Sequence, residues 1–454
     1  MSASLKMPFR LATVALALLG ANVQAQSLNE LYQAARAFDA TYLAARADAE
    51  TAQHKLSQAQ ALRKPSLGLG ITGTQSRTEL PDIYTTLANG NRVLASPSHG
   101  VNRTAATAGL EGRYSLYNRA NGATISQAER GLEASRAGLE VAEQDLMIRV
   151  AQAYFDVLAA REALATSQAS KKAIAEQLAS AKRNFEVGTA TITDTREAQA
   201  RFDRASALEL AADNDLRVKR VTLDQLVGRN EVQPQPLAQP VALPVVEPVN
   251  VEAWLGQADA GHPQVRRARV GLDVAKLEIE KAKAGTSPVV DLKSSLGGSY
   301  ERGSGASLPG TTTSGSVGFQ VTMPLYTGGA TDARVSETVL LAEKARNDLE
   351  AARRAVAEAT RRSFFGLQSL QAQVKAFEAA EASSKLALEA TQLGYKVGVR
   401  VNLDVLNAQA QLDAVRNDLA KARFDTVMTG LRLRQASGQL RPEDIAALDA
   451  LLAK

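Results

Sequence analysis

The chain has 454 residues, 22% of them charged and only 4% aromatic, with a formal net charge of +5 and no cysteine. No dense basic run interleaved with aromatics occurs, so nucleic-acid binding is not supported. Disulfides, thiol nucleophiles and cysteine metal sites are excluded, and His54, His99 and His262 lack any ligand spacing, so no metal, cofactor or enzymatic site is expected.

Residues 1–25 read as a secretory signal peptide. Lys6 and Arg10 give a positive start, Leu11 to Leu19 is an apolar run interrupted only by Thr13, and Val23 and Ala25 supply small residues before a cleavage site. That run is too short to span a bilayer, and no cysteine follows it to carry a lipid. A first helix is expected near 28–62. The stretch "SLGLGITGTQ" (66–75) then contains Gly68-x-Gly70-x-x-Gly73, the spacing of a dinucleotide-binding turn. Such a turn needs a strand before it and a helix opening on its last glycine. Here a helix and Pro65 precede and a polar loop follows, so no nucleotide is implied.

Read with period two, about 66–76 is a strand, with Leu67, Leu69 and Ile71 on one face. A second strand, about 107–118, puts Leu110, Tyr114 and Leu116 opposite Glu111, Arg113 and Ser115. The segment between them, about 77–106, is expected to be a long outward loop. A very long helix follows over 122–186, then the "VGTATITD" turn, then a helix over 195–227. Five of the fourteen prolines fall within 234–248, marking a linker over 233–250.

The order then repeats. "FEVGTATITDTREAQA" and "YKVGVRVNLDVLNAQA" align at an offset of 210, matching Gly188 with Gly398 and Asp194 with Asp404. The second unit, 251–440, is expected to hold a helix, strands at about 288–299 and 314–326, a long helix over 331–396 and another over 404–437. Residues 441–454 form a tail. The aromatic pairs Tyr154-Phe155 and Phe364-Phe365 read as packing between helices.

Alternation of this kind also fits a soluble sheet resting on a core. Three features favour lipid. The chain is exported, the strands suit a tilted crossing of about 9–11 residues, and the long charged helices cannot cover the apolar faces. A sheet in lipid must close, and four strands cannot, so copies of the chain must pool theirs. A dimer gives eight and a trimer twelve; the count does not choose.

The signal peptide, the duplicated unit, "GYKVGVRVNLDVLNAQ" (394–409), "VGTATITD" (187–194) and "MPLYTGG" (323–329) together resemble the outer-membrane channel family of TolC. The resemblance implies a homotrimer with a twelve-stranded outer-membrane β-barrel and a long periplasmic α-helical barrel tapering to a closed tip. Each protomer would give four strands and two long helical hairpins. It further implies a passive exit duct for type I protein secretion or efflux of small compounds. Its partners would be a periplasmic adaptor, an inner-membrane ABC or proton-driven transporter, and outer-membrane lipid.

The resemblance also assigns residues. Asp194 would pair with Tyr395, and Arg400 would bond to Thr193 and Asp194, closing the tip beside the turn glycines Gly188 and Gly398. Two acidic residues three apart would line the constriction; Asp404 matches the first, but the second position is Asn407, so cation binding there should be weaker. Leu116, Tyr117, Pro324, Leu325 and Tyr326 would mark the change from strand to helix. Read without the resemblance, Asp194 and Asp404 are helix caps, Asp194 with Glu197 three residues on, and Arg400 is a solvated loop charge. The competing reading of the whole chain is a periplasmic coiled-coil adaptor or scaffold without a barrel.

Overall fold

The structure, a computed structural model, describes residues 26–238, 247–304 and 309–452. The expected signal peptide and the middle of the proline-rich linker lie outside them.

The first half begins with α1 (Leu28–Phe38) and α2 (Ala40–Ala61), where the sequence suggested one helix. The break is at Asp39. Its backbone is extended, and its carboxylate accepts from the Tyr42 amide at 2.8 Å, starting α2 afresh. Strands β1 (Ser66–Leu80) and β4 (His99–Tyr117) follow, with a separate small hairpin of β2 (Ile83–Thr86) and β3 (Arg92–Ser96) between them. Much of the expected outer loop is therefore strand. Gly68, Gly70 and Gly73 lie inside β1, so no strand–turn–helix phosphate cradle forms.

Helix α3 (Arg119–Glu186) has 68 residues, about 100 Å at ~1.5 Å each, and α4 (Ile192–Val227) folds back along it. The second half repeats this order with α5 (Val251–Gly261), α6 (Pro263–Lys283), β5 (Val289–Arg302), β6 (Gly310–Thr322), α7 (Ala330–Lys396) and α8 (Asn402–Ala436). Again one expected helix is two. The break falls at His262-Pro263, where Pro263 takes the first helical position, a place with no amide bond to lose. Strand β6 ends at Thr322, four residues early, because Pro324 has no N–H to continue the ladder. The expected tail instead forms α9 (Pro442–Leu448) and docks.

The sheet is antiparallel in the order β1-β4-β5-β6, with Leu69 opposite Leu110 and Leu110 opposite Leu296. Its apolar face is bare: Leu67, Ile71, Val317 and Phe319 are each 74–77% exposed. Among the described residues the outer edges of β1 and β6 have no strand partner. On the opposite face small residues dominate, and the Arg113 guanidinium donates to Asp291 at 2.6 and 3.1 Å near the base. Among the described residues no helix is long and apolar enough to cross a membrane.

The main core lies at mid-height of α3. Leu146, Met147, Val150, Tyr154 and Phe155 meet Leu28, Leu31 and Tyr32 of α1, Leu223 of α4, Val427 and Met428 of α8, and Ile445 and Leu448 of α9. Arg149 grips Asp39 from within this layer with bonds of 2.8 and 3.0 Å. The Tyr154-Phe155 pair is buried there as expected. In the other pair Phe364 packs on Trp254 and Leu433, whereas Phe365 is 54% exposed and meets Phe364 edge-on, with ring centroids 5.6 Å apart. Above this waist α3 runs beside α2 and α6 toward the sheet; below it, two hairpins descend to the turns.

Candidate functional site at the helical tip

Both hairpins turn by the same device. At the end of α3, Gly188 adopts φ 78°, and the amides of Thr189 and Ala190 bond back to the Asn184 carbonyl at 2.8 and 3.1 Å. At the end of α7, Gly398 adopts φ 80°, and the amides of Val399 and Arg400 bond to the Gly394 carbonyl at the same two distances. A left-handed residue closes a helix by satisfying its last carbonyls, and glycine does so without a Cβ clash. The offset of 210 is thus conformational as well as sequential.

The two restarts differ. Thr191 caps α4: its hydroxyl accepts from the Asp194 amide at 3.2 Å and donates to the Asp194 carboxylate at 2.7 Å, while its own amide donates to the same carboxylate at 2.9 Å. Asp194 is therefore in the first turn of α4, and the helix begins three residues earlier than the sequence suggested. The matching position before α8 is Val401, which has no hydroxyl. Asp404 then takes only a long 3.5 Å bond from the Val401 amide and lies 3.7 Å from the Arg400 guanidinium.

Two side-chain hydrogen bonds tie the hairpins of one chain together near the tip. Asn184 Nδ2 donates to the Tyr395 hydroxyl at 3.1 Å, and Arg201 Nη2 donates to Asn407 Oδ1 at 3.0 Å. Beneath them Leu178, Ala181, Ala198 and Leu406 form a small apolar cluster. Within the chain, then, Tyr395 is held by Asn184, Asp194 by Thr191, and Arg400 leans on Asp404. Thr193 is exposed. Asn184 and Arg201 did not stand out in the sequence, since nothing local marks a partner more than two hundred residues away. Asn402, at the start of α8, is buried with neither amide atom hydrogen-bonded in the chain. A buried unpaired amide is costly, so this end of the molecule carries polar groups that are incompletely satisfied.

At the other end of the helices, Asn118 caps α3 directly after β4, its side chain accepting from the amides of Ala120 and Asn121 at 3.0 and 3.3 Å. Leu116 and Tyr117 are about half exposed, and Leu325 and Tyr326 are 89% exposed beyond the end of β6. Apolar and aromatic side chains thus surround the passage from sheet to helix.

A profile for the outer membrane efflux protein family matches residues 31–229 and 254–439, nearly the whole of both halves. The outer membrane protein TolC of Escherichia coli strain K12 is 30% identical over 95% of this chain and 86% of its own length. The alkaline protease secretion protein AprF of Pseudomonas aeruginosa is 33% identical over 68% of this chain and 64% of its own. Among solved structures, the outer membrane protein VceC of Vibrio cholerae superposes with a TM-score of 0.72 at 21% identity, covering 90% of this chain and 96% of that one. These matches do not favour a soluble scaffold.

Proposed function

Since the chain belongs to the outer membrane efflux protein family, and is an exit duct of the Gram-negative outer membrane for secretion or efflux with a long periplasmic extension, we propose that three copies assemble the duct. The uncovered four-stranded sheet carries this reading. Leu67, Ile71, Val317 and Phe319, each 74–77% exposed, mark a surface that lipid would cover, and lipid tolerates no open strand edge. Joining β1 of one copy to β6 of the next closes the wall, and three copies give twelve strands. The same packing covers apolar positions left bare on the hairpins, among them Leu208 and Leu210 of α4 and Leu386 and Leu393 of α7. Leu116, Tyr117, Leu325 and Tyr326 then ring the lower membrane surface, where aromatic groups are favoured.

In this assembly the helices continue the duct through the periplasm and the turns at Gly188 and Gly398 close it. Thr193, Asp194, Tyr395 and Arg400 are the gate, with Asp404 and Asn407 lining the constriction. Asp194 and Arg400 reach their further partners across the hairpins or between subunits. A periplasmic adaptor and an inner-membrane transporter, ABC or proton-driven, dock on the tip and open it. A proteinaceous cargo is supported by the likeness to a protease secretion protein; small toxic compounds are the second cargo class.

The test is mass and conductance together. Detergent-extracted protein should run as a trimer of the 454-residue chain less its first 25 residues, and in planar bilayers should give rare, small openings. A monomer soluble without detergent sinks the proposal.

A further inference from the structure

Asn407 and Glu197 occupy equivalent positions in the two halves, 210 residues apart, and one side chain reaches both. Arg201 donates to Asn407 at 3.0 Å and lies 3.9 Å from the Glu197 carboxylate one turn back on its own helix. The first contact crosses from α4 to α8; the second stays within α4. About a third of the Arg201 and Glu197 side chains is accessible, and Asn407 is exposed.

We infer that Arg201 is a two-position clasp: it holds Asn407 while the hairpins are closed and retires onto Glu197 when they part. This rests on the reading of the tip as the gate and adds to it a residue outside the four gate positions. The physical point is where the charge goes. A guanidinium cannot lose its proton at any relevant pH. If Arg201 bound an acidic partner on α8 alone, opening would strand two charges in a narrow passage. With a neutral amide at 407 the cross-hairpin bond is an ordinary charge-to-dipole hydrogen bond, and Glu197 stands ready in the favourable i, i+4 geometry to receive the same cation. Opening then exchanges one partner for another, and no charge is left bare. The acidic residue missing at 407 is thus the feature that makes the exchange reversible.

The proposal predicts effects of opposite sign at two residues that touch the same guanidinium. N407A removes the closed-state partner and should raise the open probability of purified channels in planar bilayers. E197Q removes the open-state partner and should lower it. N407D, which turns the clasp into an ion pair, should also lower it. Exposed pairs of this kind shift an equilibrium by about twofold each, so three copies acting together give about eightfold. In an R201Q background both N407A and E197Q should be silent. Channel amount in the outer membrane is measured alongside, so that openings are counted per inserted trimer.

Effects of the same sign for N407A and E197Q, or effects that persist in R201Q, overturn the clasp. Y395F separates this from the gate reading. If Y395F raises open probability while N407A and E197Q do nothing, the clasp falls and the gate stands; if Y395F is silent too, both fall.

Discussion

The Tyr395 hydroxyl accepts a hydrogen bond from Asn184 Nδ2 at 3.1 Å, fastening the last turn of α7 to the last turn of α3. Both groups are neutral, so the bond contributes about 0.5–1.5 kcal/mol per subunit. Y395F and N184A should therefore raise channel open probability to a similar extent, roughly 2- to 10-fold per subunit. Single-channel recording checks this. A silent N184A beside an active D194N would show that Tyr395 answers to Asp194 in the assembled tip and not to Asn184.

Asp39 joins two jobs, capping α2 and receiving Arg149. The Arg149 bonds hold its carboxyl below the usual carboxylate range against the opposing pull of burial, and the Tyr42 amide adds to the lowering. A depressed acid contributes stability above its unfolded pKa and loses it as pH falls through the folded value. D39N keeps a capping acceptor but should cost about 2 kcal/mol at pH 7 through the lost ion pair with Arg149. The gap from the parent should close at pH values well below 4. Denaturant unfolding followed by circular dichroism at pH 7 and pH 3 measures both.

His262 ends α5 and starts α6, its Nδ1 accepting from the Gln264 amide at 3.1 Å. Burial pushes its pKa below the ordinary 6.5, partly offset by Glu140 and the Gln435 carbonyl. The unfolded chain therefore takes up a proton first, and the stability contribution, full above about pH 6.5, declines as pH falls below it. H262N keeps a capping acceptor without a charge, so it should flatten the stability profile between pH 7 and pH 5. The single tryptophan, Trp254 in the adjoining helix, reports the transition by fluorescence. An unchanged slope in H262N would assign the acid sensitivity elsewhere.

Phe319 and Ser316 are three residues apart on β6 and point to opposite faces. F319K places a charge on the apolar face, at about 2–4 kcal/mol for lysine near mid-membrane. It should deplete the protein from the outer-membrane fraction. S316K lies on the polar face, where Ser316 meets Ser295 at 2.8 Å, and should leave membrane yield nearly unchanged. Equal yields for the two would mean the faces are wrongly assigned.

Period-two alternation located all four long strands, and the 210-residue offset located both hairpins, because each signal is written in consecutive side chains. The strand ends were less legible. β1 runs on past Ser76 and β4 begins before Thr107, through largely polar residues that carry no stripe. The start of α4 was misplaced because Asp194 and Thr191 are both good caps, and only geometry shows Thr191 taking the role. Pro263 and the capping residue Asp39 could have revealed the α5–α6 and α1–α2 breaks, whereas the Arg149 bonds that hold Asp39 come from far along the chain. The same distance hid Asn184 and Arg201, whose partners are fixed by the phase of one hairpin against another.

The bridges that join Gln26 to Pro234 and Leu237 to Leu452 bring three remote stretches of chain to one spot, under the Tyr154 hydroxyl, which donates to the Gln235 carbonyl at 3.0 Å. The seam between the duplicated halves is therefore joined by the stretches around Gln26, Pro234 to Leu237 and Leu452. The linker between the halves is thereby held by a segment that flanks the first half and one that flanks the second, so the girdle ties the two repeats to each other and not each to itself.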